Sequence, residues 1–311
     1  MPKFSCLLIV IAYSAAGSLE AQNQIRIEQA RAVTLPTKLS TTPPVSTSSN
    51  LPSGDQAITQ DDAFGAQRIL KNTPPSRPFQ AFAEMSAFAT NNVALVNQSR
   101  EADSFLVATF GLSYRHALTS TVQFETTLRG AMFRYNKFDV LSFNSVDAGG
   151  GVVWNPAQLP GVDLFLRYNF TDLFSEDGDT FFKNHTVTLG GQKTLALSRA
   201  HAVFAGASAQ LGFADPAISQ RDEYIAYTGY HLQATRQLDV DLLYRYGYFV
   251  YREEGYRRDH NQAISLGLRF RINDYAALSA SSFVGINSSN QEVFDYDVLN
   301  GGGGVGVSLR F

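Results

Sequence analysis

The sequence predicts an all-β protein: a transmembrane, antiparallel, up-and-down β-barrel of about 12 strands, preceded by a disordered N-terminal segment. Three observations predict it. The first residues read as a secretory signal. Residues 78–311 alternate apolar with small or polar side chains at a period of two. The connections between those runs are short and long by turns.

The signal comes first. Lys3 supplies a positive start, and residues 4–16 form an apolar stretch of signal-peptide length, too short to cross a bilayer as a helix. Small residues follow, so cleavage is expected after Gly17 or Ala21, and residues 1–21 are assigned to the signal peptide. Cys6, the single cysteine, lies inside it. The mature chain therefore has no disulfide, thiolate ligand or cysteine nucleophile.

Residues 22–77 change character. Thr41-Thr42-Pro43-Pro44 and Ser46-Thr47-Ser48-Ser49 sit among few large apolar groups, too few to offset the entropy of ordering, so the stretch reads as a disordered periplasmic linker. Residues 61–71 carry a helical pattern, with acids at the start and Arg68 and Lys71 near the end. That helix either docks in a barrel or is a transient turn of the linker.

From Pro78 onward no segment has a good 3.6-residue period, while a period of two recurs. Leu106, Ala108, Phe110, Leu112 and Tyr114 alternate with Val107, Thr109, Gly111, Ser113 and Arg115. Ile264, Leu266, Leu268 and Phe270 alternate with Ser265, Gly267, Arg269 and Arg271. Twelve such runs are expected, at 79–90, 103–115, 120–135, 142–154, 162–173, 184–195, 201–213, 222–236, 238–251, 260–272, 274–287 and 302–311. They are longer than ordinary soluble strands and match the about 9–11 residues a strand needs to cross hydrocarbon. Short connections are expected at 117–119, 155–161, 196–200, 237 and 273. Longer polar ones are expected at 91–102, 136–141, 174–183, 214–221, 252–259 and 288–301. In lipid every backbone amide must pair internally, which an amphipathic sheet achieves only by closing. The apolar face then points outward, and interfacial aromatics are expected at Tyr114, Trp154, Tyr168, Tyr224 and Phe311.

The last strand, Gly304-Val305-Gly306-Val307-Ser308-Leu309-Arg310-Phe311, alternates and ends on an aromatic. With the signal and the loop alternation, it makes the chain resemble the bacterial outer-membrane β-barrel proteins, porin-like in the broad sense and without a subfamily. The strand number resembles the small porins for acidic oligosaccharides, the autotransporter translocator barrels and the outer-membrane phospholipase. The resemblance implies an outer-membrane location with periplasmic termini. It also implies contact with outer-membrane lipids and lipopolysaccharide, and reading of Phe311 by the barrel-assembly machinery.

If apolar side chains face lipid, the opposite parity lines the lumen: Arg115, Glu125, Arg129, Arg167, Asp241, Arg245, Arg269, Arg271 and Arg310, with Glu84, Asp147 and Asp163. Arginines exceed acids on that face, and a ring of arginine can select anions. The expected function is a narrow channel for passive passage of small, preferentially anionic solutes. In the competing arrangement these arginines pair with acids on neighbouring strands and lock the wall, which suits a non-conducting scaffold barrel with residues 22–77 as an interaction segment. An outer-membrane lipid-modifying enzyme is the third reading. Its candidate base is His260, within Asp259-His260-Asn261 and facing outward, but Gln262 stands where the family pattern has serine, so no catalytic residue is assigned. The five histidines show no ligand spacing, and neither metal nor other cofactor is expected. The net charge of −3, with 17% charged residues, gives no basic face for nucleic acid.

Overall fold

The computed structural model describes residues 22–31, 78–253 and 255–311. It contains one α-helix, α1 (22–31), and twelve strands. These are β1 (Phe79–Thr90), β2 (Asp103–Ala117), β3 (Val122–Tyr135), β4 (Phe143–Trp154), β5 (Val162–Phe174) and β6 (Thr180–Ala196), followed by β7 (His201–Asp215), β8 (Arg221–Gln233), β9 (Leu238–Tyr251), β10 (Arg258–Arg271), β11 (Ala276–Ser289) and β12 (Tyr296–Arg310). Each strand pairs antiparallel with its sequence neighbours, and β1 pairs with β12 from Gln80↔Arg310 to Thr90↔Asn300 to close the barrel. The seam is finished by Phe311 and Phe79, which exchange backbone hydrogen bonds of 3.0 and 3.1 Å and stack their rings.

The two ends differ less than the sequence suggests. At one end four connections have four residues (118–121, 197–200, 234–237, 272–275) and one has seven (155–161). Thr119, Thr235 and Asn273 side chains accept backbone N–H groups across these turns, the local bonding that favours such residues there. At the other end the connections run from five residues (175–179 and 216–220) to twelve (91–102). Strands extend into segments expected to be loop. Most of 288–301 belongs to β11 and β12, and β12 runs on through the glycines of 301–304. Gly302 is required there because Phe88 and the β1 backbone leave no room for a Cβ.

Registers assign the faces. Leu106, Phe110, Leu128, Leu166, Leu189, Leu242, Leu266 and Val307 point outward and are solvent-exposed in the isolated chain. An apolar girdle of this extent is matched by acyl chains, not water. Tyr114, Trp154 and Phe311 lie at the short-turn end and Tyr224 near the long-loop end. Tyr168 instead sits mid-strand on β5, bonded 2.7 Å from His185 of β6, so it is not a strand-end anchor.

The inward face departs from a purely polar lining. Rings lie down on glycines that leave the space free: Phe82 over Gly111, Phe165 over Gly190, Phe204 over Gly229 and Tyr227 over Gly206. In the long-loop half, Phe105, Phe133, Tyr135, Phe143, Leu173 and Phe182 form a buried core that also takes in Ile27 and Ala30 of α1. The ordered helix of the 22–77 stretch thus stands at its beginning; the one expected at 61–71, like the signal peptide, falls outside the described residues.

Candidate functional site

The barrel interior divides into two halves. In the long-loop half, α1 seats among the strand ends. Its sequence, Gln-Asn-Gln-Ile-Arg-Ile-Glu-Gln-Ala-Arg, is rich in good helix formers and carries a Glu28–Arg31 ion pair one turn apart at 2.9 Å. Ile27 and Ala30 enter the apolar core on one side. The polar residues reach the wall. Gln29 donates to the Val93 carbonyl at 2.7 Å, Arg31 to the Ser219 carbonyl at 2.9 Å, and Arg26 to the Val140 carbonyl.

Glu28 is the centre of the attachment. Its carboxylate accepts from Arg221 Nη1 at 3.1 Å and from the Tyr251 hydroxyl at 3.1 Å. Arg221 also donates through Nε to Glu223 at 2.8 Å and through Nη1 to the Tyr251 hydroxyl at 2.9 Å, with its guanidinium 4.2 Å from the Phe249 ring. Beside it Arg257 pairs with Asp259 at 2.6 Å and stacks on Phe294 at 3.5 Å. Burial alone would push the Glu28 carboxyl up. The guanidiniums of Arg221, Arg31 and Arg257 outweigh it and hold the group at about 2, so it is ionised at neutral pH. A buried charge of this kind is tolerated because both carboxylate oxygens meet donors.

The short-turn half is lined differently. Gly149, Gly151, Gly267, Gly304 and Gly306, with Ser113, Ser265, Ser279 and Ser308, face inward there, beside the rings of Phe82, Phe165 and Phe204. All nine sequence-assigned lumen residues lie on the inward parity. Arg115 and Arg167 share Glu125, at 3.3 and 2.7 Å; Arg129 holds Asp147 at 2.9 Å; Arg271 holds Asp239 at 3.2 Å. Asp241 meets His231 at 2.8 Å, and Arg245 donates to Asn261 at 2.5 Å. Arg269 and Arg310 make no ion pair or hydrogen bond among the described residues, and both are solvent-exposed although they face the bore. Of the other inward acids, Asp163 accepts from Asn155, while Glu84 accepts from Ser86 at 3.0 Å and from Ser279 at 2.9 Å.

Two expectations change. The inward face also carries Asp103, Glu223, Asp239 and Asp259, so its arginines do not outnumber its acids; the first three lie inside the expected runs but were not counted on the inward parity, and Asp259 fell in an expected loop. Pairing along the wall also absorbs most of the arginines, leaving two free. Sequence reasoning missed Glu28, Arg221, Tyr251 and Arg257. Their partners are remote in the chain, and the run Arg221-Asp222-Glu223 is charged at every position, so alternation gives no inward face there.

On the outside, His260 faces outward as expected, 2.7 Å from the Tyr246 hydroxyl and opposite Ser288 in register. Among the described residues no group of three His, Cys, Asp or Glu side chains is placed to hold a metal.

Fold and interior together define the class: a closed, twelve-stranded antiparallel β-barrel with an apolar outer girdle. No known protein family and no curated protein matches the chain by sequence. Among solved structures, the chain is similar to an outer membrane channel from Pseudomonas putida F1. The two share 9% identity with a TM-score of 0.56, over 76% of this chain and 96% of that one. It is also similar to the translocator domain of the autotransporter NalP from Neisseria meningitidis, with 10% identity and a TM-score of 0.45, over 77% of this chain and 90% of that one.

Proposed function

We propose that the chain is an outer-membrane channel for small, preferentially anionic solutes, with periplasmic termini and a long-loop mouth occupied by its own α1. The observation that carries this reading is Arg269 and Arg310: inward, exposed and unpaired at the short-turn end of the bore. A unit charge about 10 Å from an ion in water changes its energy by about 0.4 kcal/mol, or about twofold in partitioning. Two such charges set a mild preference, not strict selection.

Single-channel recording in planar bilayers under a KCl gradient tests it. Deleting residues 22–31 is expected to raise conductance several-fold, with the reversal potential on the anion side. Replacing Arg269 and Arg310 by serine in that deletion should move the potential toward the cation side. A second reading, a non-conducting scaffold, is favoured by the depth to which α1 is seated. Silence from both the full chain and the deletion would establish the scaffold and refute the channel.

A further inference from the structure

A cleft of about 660 Å³ opens on the outer surface near the long-loop rim, lined by Tyr246, Tyr248, Arg258, His260, Ser288 and Asn290. All six project from β9, β10 and β11 or from the connection that follows β11. The outward residues of β10 fix its height. Ile264, Leu266, Leu268, Phe270 and Ile272 make an apolar run of about nine residues, the length of a hydrocarbon crossing. Gln262, His260 and Arg258 continue the same face beyond its edge. The cleft therefore lies at headgroup depth, where Tyr246 and Tyr248 have the amphipathic character that interfaces favour.

Apart from Lys183, far round the barrel on β6, most other cations of this rim are held by acids. Arg100 holds Asp297, Arg134 holds Glu176, Arg252 holds Asp222 and Arg257 holds Asp259. The Arg258 guanidinium has no partner among the described residues, although its backbone is pinned by Asn290 Oδ1 at 2.7 Å. His260 gives Nδ1 to the Tyr246 hydroxyl and packs its ring 5.1 Å from that of Tyr248. This fixes the imidazole and leaves Nε2 open. The Ser288 hydroxyl, opposite His260 in register, makes no hydrogen bond among the described residues. A fork of guanidinium donors, an imidazole nitrogen and a hydroxyl converge above a lipid-facing wall.

We propose that this cleft binds a phosphate of a lipopolysaccharide-type lipid headgroup, with Arg258 as the principal donor, His260 and Ser288 completing the grip, and the acyl chains lying along Ile264 and Leu266. A planar guanidinium matches phosphate oxygens two at a time, and the neighbouring apolar face holds the lipid in place. The site is independent of whether the bore conducts.

Binding of bisphosphorylated lipid A, and of its dephosphorylated form, to the full chain in phosphatidylcholine nanodiscs tests the site. R258Q is expected to weaken the phosphorylated lipid about tenfold, which corresponds to about 1.4 kcal/mol, and H260Q to weaken it less. K183Q, outward-facing on β6, should leave it unchanged. The dephosphorylated lipid should not distinguish the variants, and excess inorganic phosphate should not displace the bound lipid. Wild-type affinity in both R258Q and H260Q overturns the proposal. So does equal loss for both lipids, or complete displacement by inorganic phosphate. Heat-modifiable mobility checks that each variant folds, and H260Q carries the test should R258Q fail to assemble.

Discussion

The two halves of the bore share the same strands and the same inward parity, yet they are finished in opposite ways. Toward the long loops the interior is packed like a soluble core. Phe133 and Phe143 stack at 4.4 Å, Ile27 is buried against them, and the charges of Glu28, Arg221 and Glu223 are paired out of water. Toward the short turns the inward face mixes glycine and serine with the rings of Phe82, Phe165 and Phe204, and Arg269 and Arg310 stand in solvent. The difference teaches that strand number sets the width of a barrel but not its openness. Openness is decided by side-chain volume on one parity, and here by a ten-residue helix.

Breaking the packed half should have the largest effect. Arg221→Met strands Glu28 and Glu223 in a buried site, and removing one partner of such a network costs about 3–5 kcal/mol. The expected outcome is release of α1 with the barrel intact. Protease cleavage within residues 22–31 of the folded protein in detergent, compared with wild type, measures it. Unchanged protection would show that the ion pairs do not hold the helix.

Acid should act in the same direction more gradually. The Glu28 carboxyl lies below its ordinary value of 4.5, at about 2, only while α1 is docked. A depressed group contributes its attraction fully above the undocked value and loses it as pH falls through the docked one. Docking is thus expected to be constant at neutral pH and to weaken between about 4.5 and 2. Fluorescence of a probe at Asn23 would follow it. Glu28→Gln should remove this pH dependence, and a variant that kept it would point to another group.

The smallest effect sharpens the contrast from the open side. Gly190→Ala pushes a methyl into the Phe165 ring, which must leave the wall or force the strands apart. Overpacking of this kind costs about 1–3 kcal/mol. A lower thermal midpoint with reduced conductance is expected, and Phe165→Leu in the same chain should restore part of both.

Much of this was legible beforehand. The outward leucines and the period of two give the strands, and parity alone places Arg269 and Arg310 in the bore, because a two-residue repeat is a local property. Strand ends were less legible: 288–301 was expected as loop, and the glycines beyond it are crowded by residues remote in sequence, Gly302 by Ala87 and Phe88 and Gly304 by Met85 and Ser86 across the seam. The seating of α1 was not legible at all. Ile25 and Ile27 make no helical stripe, and what orders residues 22–31 is a set of bonds to Val93, Ser219, Arg221 and Tyr251, far along the chain.

That separation has a consequence for the order of assembly. Glu28 is 193 residues from Arg221 and 223 from Tyr251. The Glu28 carboxylate therefore has no partner on the wall until β8 and β9 stand side by side. Closing so long a loop is repaid only by a finished wall. The most N-terminal helix described is thus among the last elements to be fully held, and a half-built cylinder is an open one.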